Sequence, residues 1–371
     1  MSLETRLDAV VGQAIADGRI VGAVLKVHKD GVPLYDKAHG LADREAGRAM
    51  TGDAIFRFSS LTKPVVAATI LALADAGRLA LDDLVTRHLP GFAPRLPDGT
   101  APDITIHHLL THTSGLAAGP MLTPAEAADG VNRWHFSIEE TLARLAALPL
   151  LFAPGTQWNY GPSIDVLGVI AGRLSGGTPG DAIAQWVTGP LRMVDTGFFV
   201  TDPARLAAAY GDHPGRPERM GTAHEVMSPW GAKVRYDPDR IFDAKAFQSG
   251  GGGAAGTAGD FMTLLETLRS GGGTILRPET VALALRNQTP QLNQAVGPGV
   301  MFSYLGAHIA DPGVAGLPVS PGTNRWGGIY GHNWFIDPAQ GLTVLSMSNT
   351  GLEGSDGAYR SEVCNAVYAA L

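Results

Sequence analysis

The 371-residue chain is 45% hydrophobic and 17% charged, the balance of a globular protein with a sizeable core and not of a disordered one. Its formal net charge of −7 offers no basic surface for nucleic acid or an anionic membrane, and no apolar stretch approaches the ~20 residues of a membrane span. Cys364 is the single cysteine, which excludes a disulfide framework and a cysteine metal site, and the charges spread through residues 1–18 leave no apolar signal-peptide core, so the expected location is the cytoplasm.

Leu3, Leu7, Val10, Val11 and Ile15 recur at helical spacing and predict a helix over Ser2–Asp17. Strand-like runs follow at Val21–His28 and Val32–Ala38, joined by Lys29-Asp30-Gly31, a hairpin signal. Ser60-Leu61-Thr62-Lys63 opens an apolar run through Leu73 that reads as a buried helix, with Pro64 in its first turn. Further helices are expected over Ile106–Thr111, Ile138–Leu148 and Asp165–Leu174, the second with Ser137-Ile138-Glu139-Glu140 as a capping box. Tyr210–Ser249 is rich in Gly, Pro, Asp, Arg and aromatics with weak periodicity, and is expected to be a long lid or loop. A helix restarts near Asp260, capped by Thr257. Asn333–Ile336 and Leu342–Met347 then read as strands linked by a turn containing Pro338 and Gly341, before a last helix over Ser361–Ala370.

Both ends of the chain thus offer a hairpin and a helix. The expected fold class is α/β of the α+β type, an antiparallel sheet flanked by helices and built from both chain ends, with an inserted all-helical region. The expected division is a discontinuous α/β domain from 1–75 and 250–371, and a mainly helical domain with a lid loop over 76–249. The active site is expected between them.

Serine and lysine three apart on a helix share one face. A serine hydroxyl is a weak nucleophile until a base takes its proton, and a lysine amine kept neutral can do so. At the N–H-rich start of the helix, Ser60 also stands where a developing oxyanion is favoured. S-x-x-K alone equally describes a helix N-cap with Lys63 reaching solvent. Two other patterns point elsewhere and are set aside. Gly251–Gly256 satisfies G-x-G-x-x-G, but no strand leads into it, as a dinucleotide site requires. His108 and His112 are spaced like zinc ligands on a helix, but the glutamate of H-E-x-x-H is missing.

Ala153-Pro154-Gly155-Thr156-Gln157-Trp158-Asn159-Tyr160-Gly161 combines turn residues with a tyrosine before a helix, and a tyrosine near an ammonium can ionise and act as base. Arg325-Trp326-Gly327-Gly328-Ile329-Tyr330-Gly331-His332 places consecutive glycines in a strand, as where a ligand or another backbone approaches closely. In this order, Ser60-x-x-Lys63, Tyr160 and Trp326-Gly327-Gly328 resemble the motifs of the class C β-lactamase and D,D-peptidase superfamily of serine hydrolases, and most nearly those of the family VIII carboxylesterases. Phe56-Arg57-Phe58, the run from Leu109 to Leu116 and the run from Gly331 to Pro338 also fit, so the resemblance covers about Gly22 to Tyr368.

The resemblance implies Ser60 as nucleophile, Lys63 and Tyr160 as the proton-transfer pair, and the backbone N–H groups of Ser60 and Ile329 as the oxyanion hole. Trp326, Gly327 and Gly328 are implied to line the substrate cleft. No metal or organic cofactor is implied, and Asn159 is assigned no role. Where these lactamases carry Tyr-x-Asn the third position here is Pro162, and Trp326 replaces the lysine of Lys-Thr-Gly. Loss of a cation that pairs with a carboxylate favours neutral esters over lactams. The expected activity is a serine carboxylesterase acting on small, short neutral esters through an acyl-enzyme. The alternatives are a weak β-lactamase, a D-amino-acid peptidase or amidase, an acyltransferase using the same residues, and an inactive binding protein on the same scaffold.

Overall fold

The computed structural model describes residues 1–117, 135–228, 231, 233–292 and 295–371. Eight strands form one antiparallel sheet: β1 (Gly22–Lys29), β2 (Val32–Asp43), β3 (Arg48–Ala49), β4 (Val300–Phe302), β5 (Ala307–Ile309), β6 (Asn324–Gly328), β7 (His332–Asp337) and β8 (Leu342–Ser348). Their spatial order is β4-β5-β6-β7-β8-β1-β2-β3. The two chain ends meet where β1 pairs with β8, in a register running from Ala23↔Ser348 to Lys29↔Leu342. The β1–β2 turn places Asp30 at φ 51° and Gly31 at φ 84°, two successive left-handed residues of the kind a tight hairpin needs.

Both faces of the sheet are covered, so its central strands β7, β8 and β1 are buried at nearly every position. Ala23, Leu25 and Val27 of β1 and Phe335 of β7 pack with helix α1 (Leu3–Ala16) and with the C-terminal helix, Ala358–Tyr368, through Leu7, Val11, Val363 and Val367. Val24, Trp334, Leu345 and Met347 face the opposite way, into a larger core. That core contains α2 (Thr62–Asp75), α3 (Ser163–Ser175) and α4 (Ala258–Arg269). Every residue of α2 from Thr62 to Leu73 is buried, so a helix with no polar stripe is stable there only because neighbours enclose it.

The expected fold class holds, and most elements fall within a few residues of their expected bounds. Two expectations need correction. Ser137 accepts from the backbone N–H of Glu140 at 3.1 Å, but the Glu140 carboxylate turns to Arg144 instead of closing a capping box. The described residues of 210–249 also carry more regular structure than a lid loop. They carry two antiparallel strand pairs, Tyr210–Gly211 with Glu218–Arg219 and Glu225–Met227 with Lys233–Arg235, and a 3₁₀ turn at Pro238–Phe242. Pairs this short lack the run of alternating residues that reveals a strand. Among the described residues no helix is long and apolar enough to cross a membrane.

Candidate active site

Ser60 lies in a 3₁₀ turn, Ser59–Leu61, that leads directly into α2. Ser59 has φ 47°, a left-handed conformation that costs a non-glycine residue energy and persists only where its surroundings enforce it. Gly252 lies beside it, where a Cβ would stand 3.6 Å from the Ser59 carbonyl carbon, an ordinary contact.

Lys63, one turn on, brings Nζ to 3.2 Å from Ser60 Oγ and donates to the Gly251 carbonyl at 2.5 Å. Tyr160 donates from its hydroxyl to Ser60 Oγ at 2.8 Å. Lys63 Nζ also stands 4.4 Å from the centre of the Tyr160 ring, close enough for a cation–π attraction. Ser60 Oγ therefore has two titratable partners, one from the first turn of α2 and one from the turn before α3.

Trp326 joins the group through Tyr160. Its indole N–H donates to the Tyr160 hydroxyl at 3.2 Å, and the two rings lie 5.1 Å apart. The glycines that follow admit backbone rather than ligand. A Cβ on Gly328 would stand 2.4 Å from the Phe58 carbonyl oxygen, and one on Gly327 would stand 2.6 Å from that of His332. The end of β6 is thereby pressed against the residue that precedes the serine turn. Ile329 follows β6, and its carbonyl accepts from the Tyr236 hydroxyl at 3.0 Å. No described residue accepts from the backbone N–H of Ser60 or of Ile329.

A cleft of about 310 Å³ opens beside Lys63, Tyr160 and Ile329. Leu145, Pro162 and Phe247 give it apolar walls, Thr141 also lines it, and Arg235 and Tyr236 stand on the side built by the short strand pairs.

Several functional neighbours had only faint sequence signals. The Gly251 carbonyl belongs to the glycine run that imitated a dinucleotide motif. Asp165 accepts from Ser249 Oγ and from the Gly251 N–H, yet in sequence it is one acidic residue at a helix start. His112 packs its ring 4.8 Å from that of Tyr160. Burial first, and Lys63 second, hold its imidazole well below the ordinary pKa, and Nδ1 accepts from the Gly161 N–H at 3.4 Å. It lies past the end of the helix Ile106–Leu110, with φ 57°, so it shares no helix face with His108. The latter exchanges capping hydrogen bonds with Thr105. Asn159 donates to the Leu116 carbonyl at 3.1 Å, which ties the Tyr160 turn to the segment after His112.

Residues 7–365 match the Beta-lactamase family. The chain belongs to that family. It is 46% identical to Esterase EstB of Burkholderia gladioli over 377 residues, covering 99% of this chain and 96% of that protein. Its fold superimposes with a TM-score of 0.93 on EstCE1, described as a hydrolase with promiscuous acyltransferase activity, at 37% identity over 99% of this chain and 98% of that one. Simvastatin synthase (LovD) from Aspergillus terreus shares the fold at a TM-score of 0.78 and 23% identity, covering 100% and 98% of the two chains. The expectation of a β-lactamase-like serine hydrolase of the carboxylic-ester class holds.

Proposed function

We propose that Ser60 is the nucleophile of a serine carboxylesterase that takes short neutral esters. The observation that carries this reading is the placement of Ser60 Oγ within hydrogen-bond reach of both Lys63 Nζ and Tyr160 OH. As the Oγ–carbonyl bond forms, Lys63 and Tyr160 accept the hydroxyl proton and deliver it to the departing alkoxide as the ester C–O bond breaks. The tetrahedral oxyanion is held by the N–H groups of Ser60 and Ile329, neither of which is engaged by a described residue. Water then adds to the acyl-enzyme, its proton returns through the same pair to Ser60, and the acid leaves. These steps balance with ester and water alone.

In this reading Trp326 holds Tyr160 and puts apolar surface in place of a cation, and Gly328 lets the end of β6, with Ile329 after it, approach the turn that carries the nucleophile. Pro162 cannot supply an amide contact, which further favours esters over lactams. The cleft lies between an α/β domain from 1–75 and 250–371 and a mainly helical domain over 76–249. The enzyme acts in the cytoplasm.

The test is a fluorophosphonate label mapped by mass spectrometry, together with an assay of p-nitrophenyl esters against nitrocefin and a D-Ala-D-Ala peptide. One label on Ser60, lost with turnover in Ser60→Ala, and esters cleaved far faster than nitrocefin are the expected results. A label on Ser59 or Ser114, or nitrocefin matching the best ester in kcat/KM, overturns the reading. A small alcohol added to the assay measures acyl transfer, the second activity named for EstCE1.

A further inference from the structure

The Gly251 carbonyl that accepts from Lys63 Nζ is aimed by a side chain outside the Ser–Lys–Tyr group. Asp165 Oδ1 accepts from the backbone N–H of Gly251 at 3.2 Å and from Ser249 Oγ at 2.5 Å. One carboxylate oxygen thus holds both ends of the 249–251 segment. The turn continues with Gly252 and Gly253 donating to the Ser249 carbonyl at 3.1 and 2.7 Å. The segment has no room to shift toward α3. A Cβ on Gly250 would stand 2.4 Å from the Ile164 carbonyl oxygen, and one on Gly251 would stand 2.6 Å from Asp165 Oδ2. Asp165 lies in the first turn of α3, five residues after Tyr160, so one stretch of chain sets both the tyrosine and the lysine's acceptor.

A lysine amine on a four-carbon stem has three rotatable donors and no preferred direction of its own. To take the Ser60 proton, a neutral amine must turn its lone pair toward Oγ. With one N–H engaged by a fixed carbonyl, rotation about the Cε–Nζ bond is restricted. We propose that Asp165 is a positioning residue for Lys63. By fastening Ser249 and the Gly251 N–H it fixes the 249–252 turn, in which the Gly252 N–H bonds back to the Ser249 carbonyl, and so sets the direction of the Gly251 carbonyl and of the amine that faces Ser60. The proposal rests on the reading of Lys63 as a proton carrier, and it makes Asp165 neither a nucleophile nor a base.

The test compares Asp165→Ala and Asp165→Asn with the parent enzyme on a p-nitrophenyl ester, measuring kcat, KM and the rate of fluorophosphonate labelling. Loss of aim in Asp165→Ala should lower kcat about 10- to 100-fold with KM within about threefold, and labelling should slow by the same factor. Asparagine keeps an Oδ1 that can accept both hydrogen bonds, so Asp165→Asn should recover most of the rate. A kcat within twofold of the parent in Asp165→Ala overturns the proposal. An Asp165→Asn enzyme as slow as Asp165→Ala also overturns it, because the defect then lies in charge or folding. Lys63→Ala is run alongside. If it keeps the parent rate, the reading of Lys63 fails; if it is inactive while Asp165→Ala is not, only the positioning role fails. Should Asp165→Ala not fold, Ser249→Ala removes one of the two anchors. About a threefold loss in kcat at constant KM is then expected, and an unchanged kcat counts against the proposal.

Discussion

The inner end and the outer wall of the cleft are built on different principles. At the inner end the two groups proposed to carry the proton, Lys63 and Tyr160, each have a second constraint. Lys63 is held by Gly251, Tyr160 by Trp326, and the Gly251 turn by Asp165. Lys63 sits on α2, Asp165 on α3 and Trp326 on β6, elements packed into the main core, and the Gly251 turn is fastened to α3. On the outer wall Arg235 is exposed at the end of a three-residue strand, and its neighbours belong to segments with little regular structure. Catalytic geometry tolerates errors of only about half an ångström, so it is over-determined by packing. A wall that selects substrates needs no such precision, and its sequence can change without disturbing the chemistry.

The sharpest way to break this comparison is to remove one member of the inner end. Lys63→Ala and Tyr160→Phe should each lower kcat by several orders of magnitude, because an unactivated serine hydroxyl is weak at neutral pH. The double variant should be scarcely slower than either single one, since the groups act as a unit. Steady-state kinetics on one ester measures this, and additive losses would mean two independent roles.

A second, smaller effect concerns the stability of the inner end against acid. His332 at the end of β6–β7 is buried, donates from Nε2 to the Arg57 carbonyl at 2.8 Å, and is pushed down to about 4 by that burial. The depressed value means the unfolded chain takes up the proton first. Stability is then full above the ordinary 6.5 and is lost as pH falls from there toward 4. The loss from this one group is about 3 kcal/mol at the low end, and His112, shifted the same way, adds to it. Thermal melts should show Tm falling between pH 7 and pH 4. His332→Gln should flatten that slope whatever its Tm at neutral pH, and an unaltered slope would remove His332 from the account.

The smallest effect belongs to the outer wall. An exposed charge is screened and contributes about 0–1 kcal/mol to a contact. Arg235→Ala should therefore raise KM for an ester with a distal carboxylate by no more than about fivefold, less at high salt, and should leave kcat on p-nitrophenyl acetate within about twofold. A large loss of kcat from this variant would erase the distinction between wall and inner end.

Local signals settled a good deal. The apolar run after Ser60, the hairpin residues Asp30-Gly31 and the Thr257 cap each dictate structure over a few residues, and the i, i+3 spacing alone puts Ser60 and Lys63 on one face. Motif order then identified Tyr160 and Trp326. The contacts that join these pieces have no local signature. Tyr160 reaches Ser60 across 100 residues of chain, Trp326 reaches Tyr160 across 166, and Lys63 reaches Gly251 across 188. Periodicity and turn chemistry report on neighbours in sequence, whereas those distances are closed only when the sheet brings the chain ends together. For that reason the glycine run at 250–253 read as a decoy, Asp165 as an ordinary helix-start acid, and 210–249 as a loop. Only the packing of α2 against α3 and β6 decided what each of them touches.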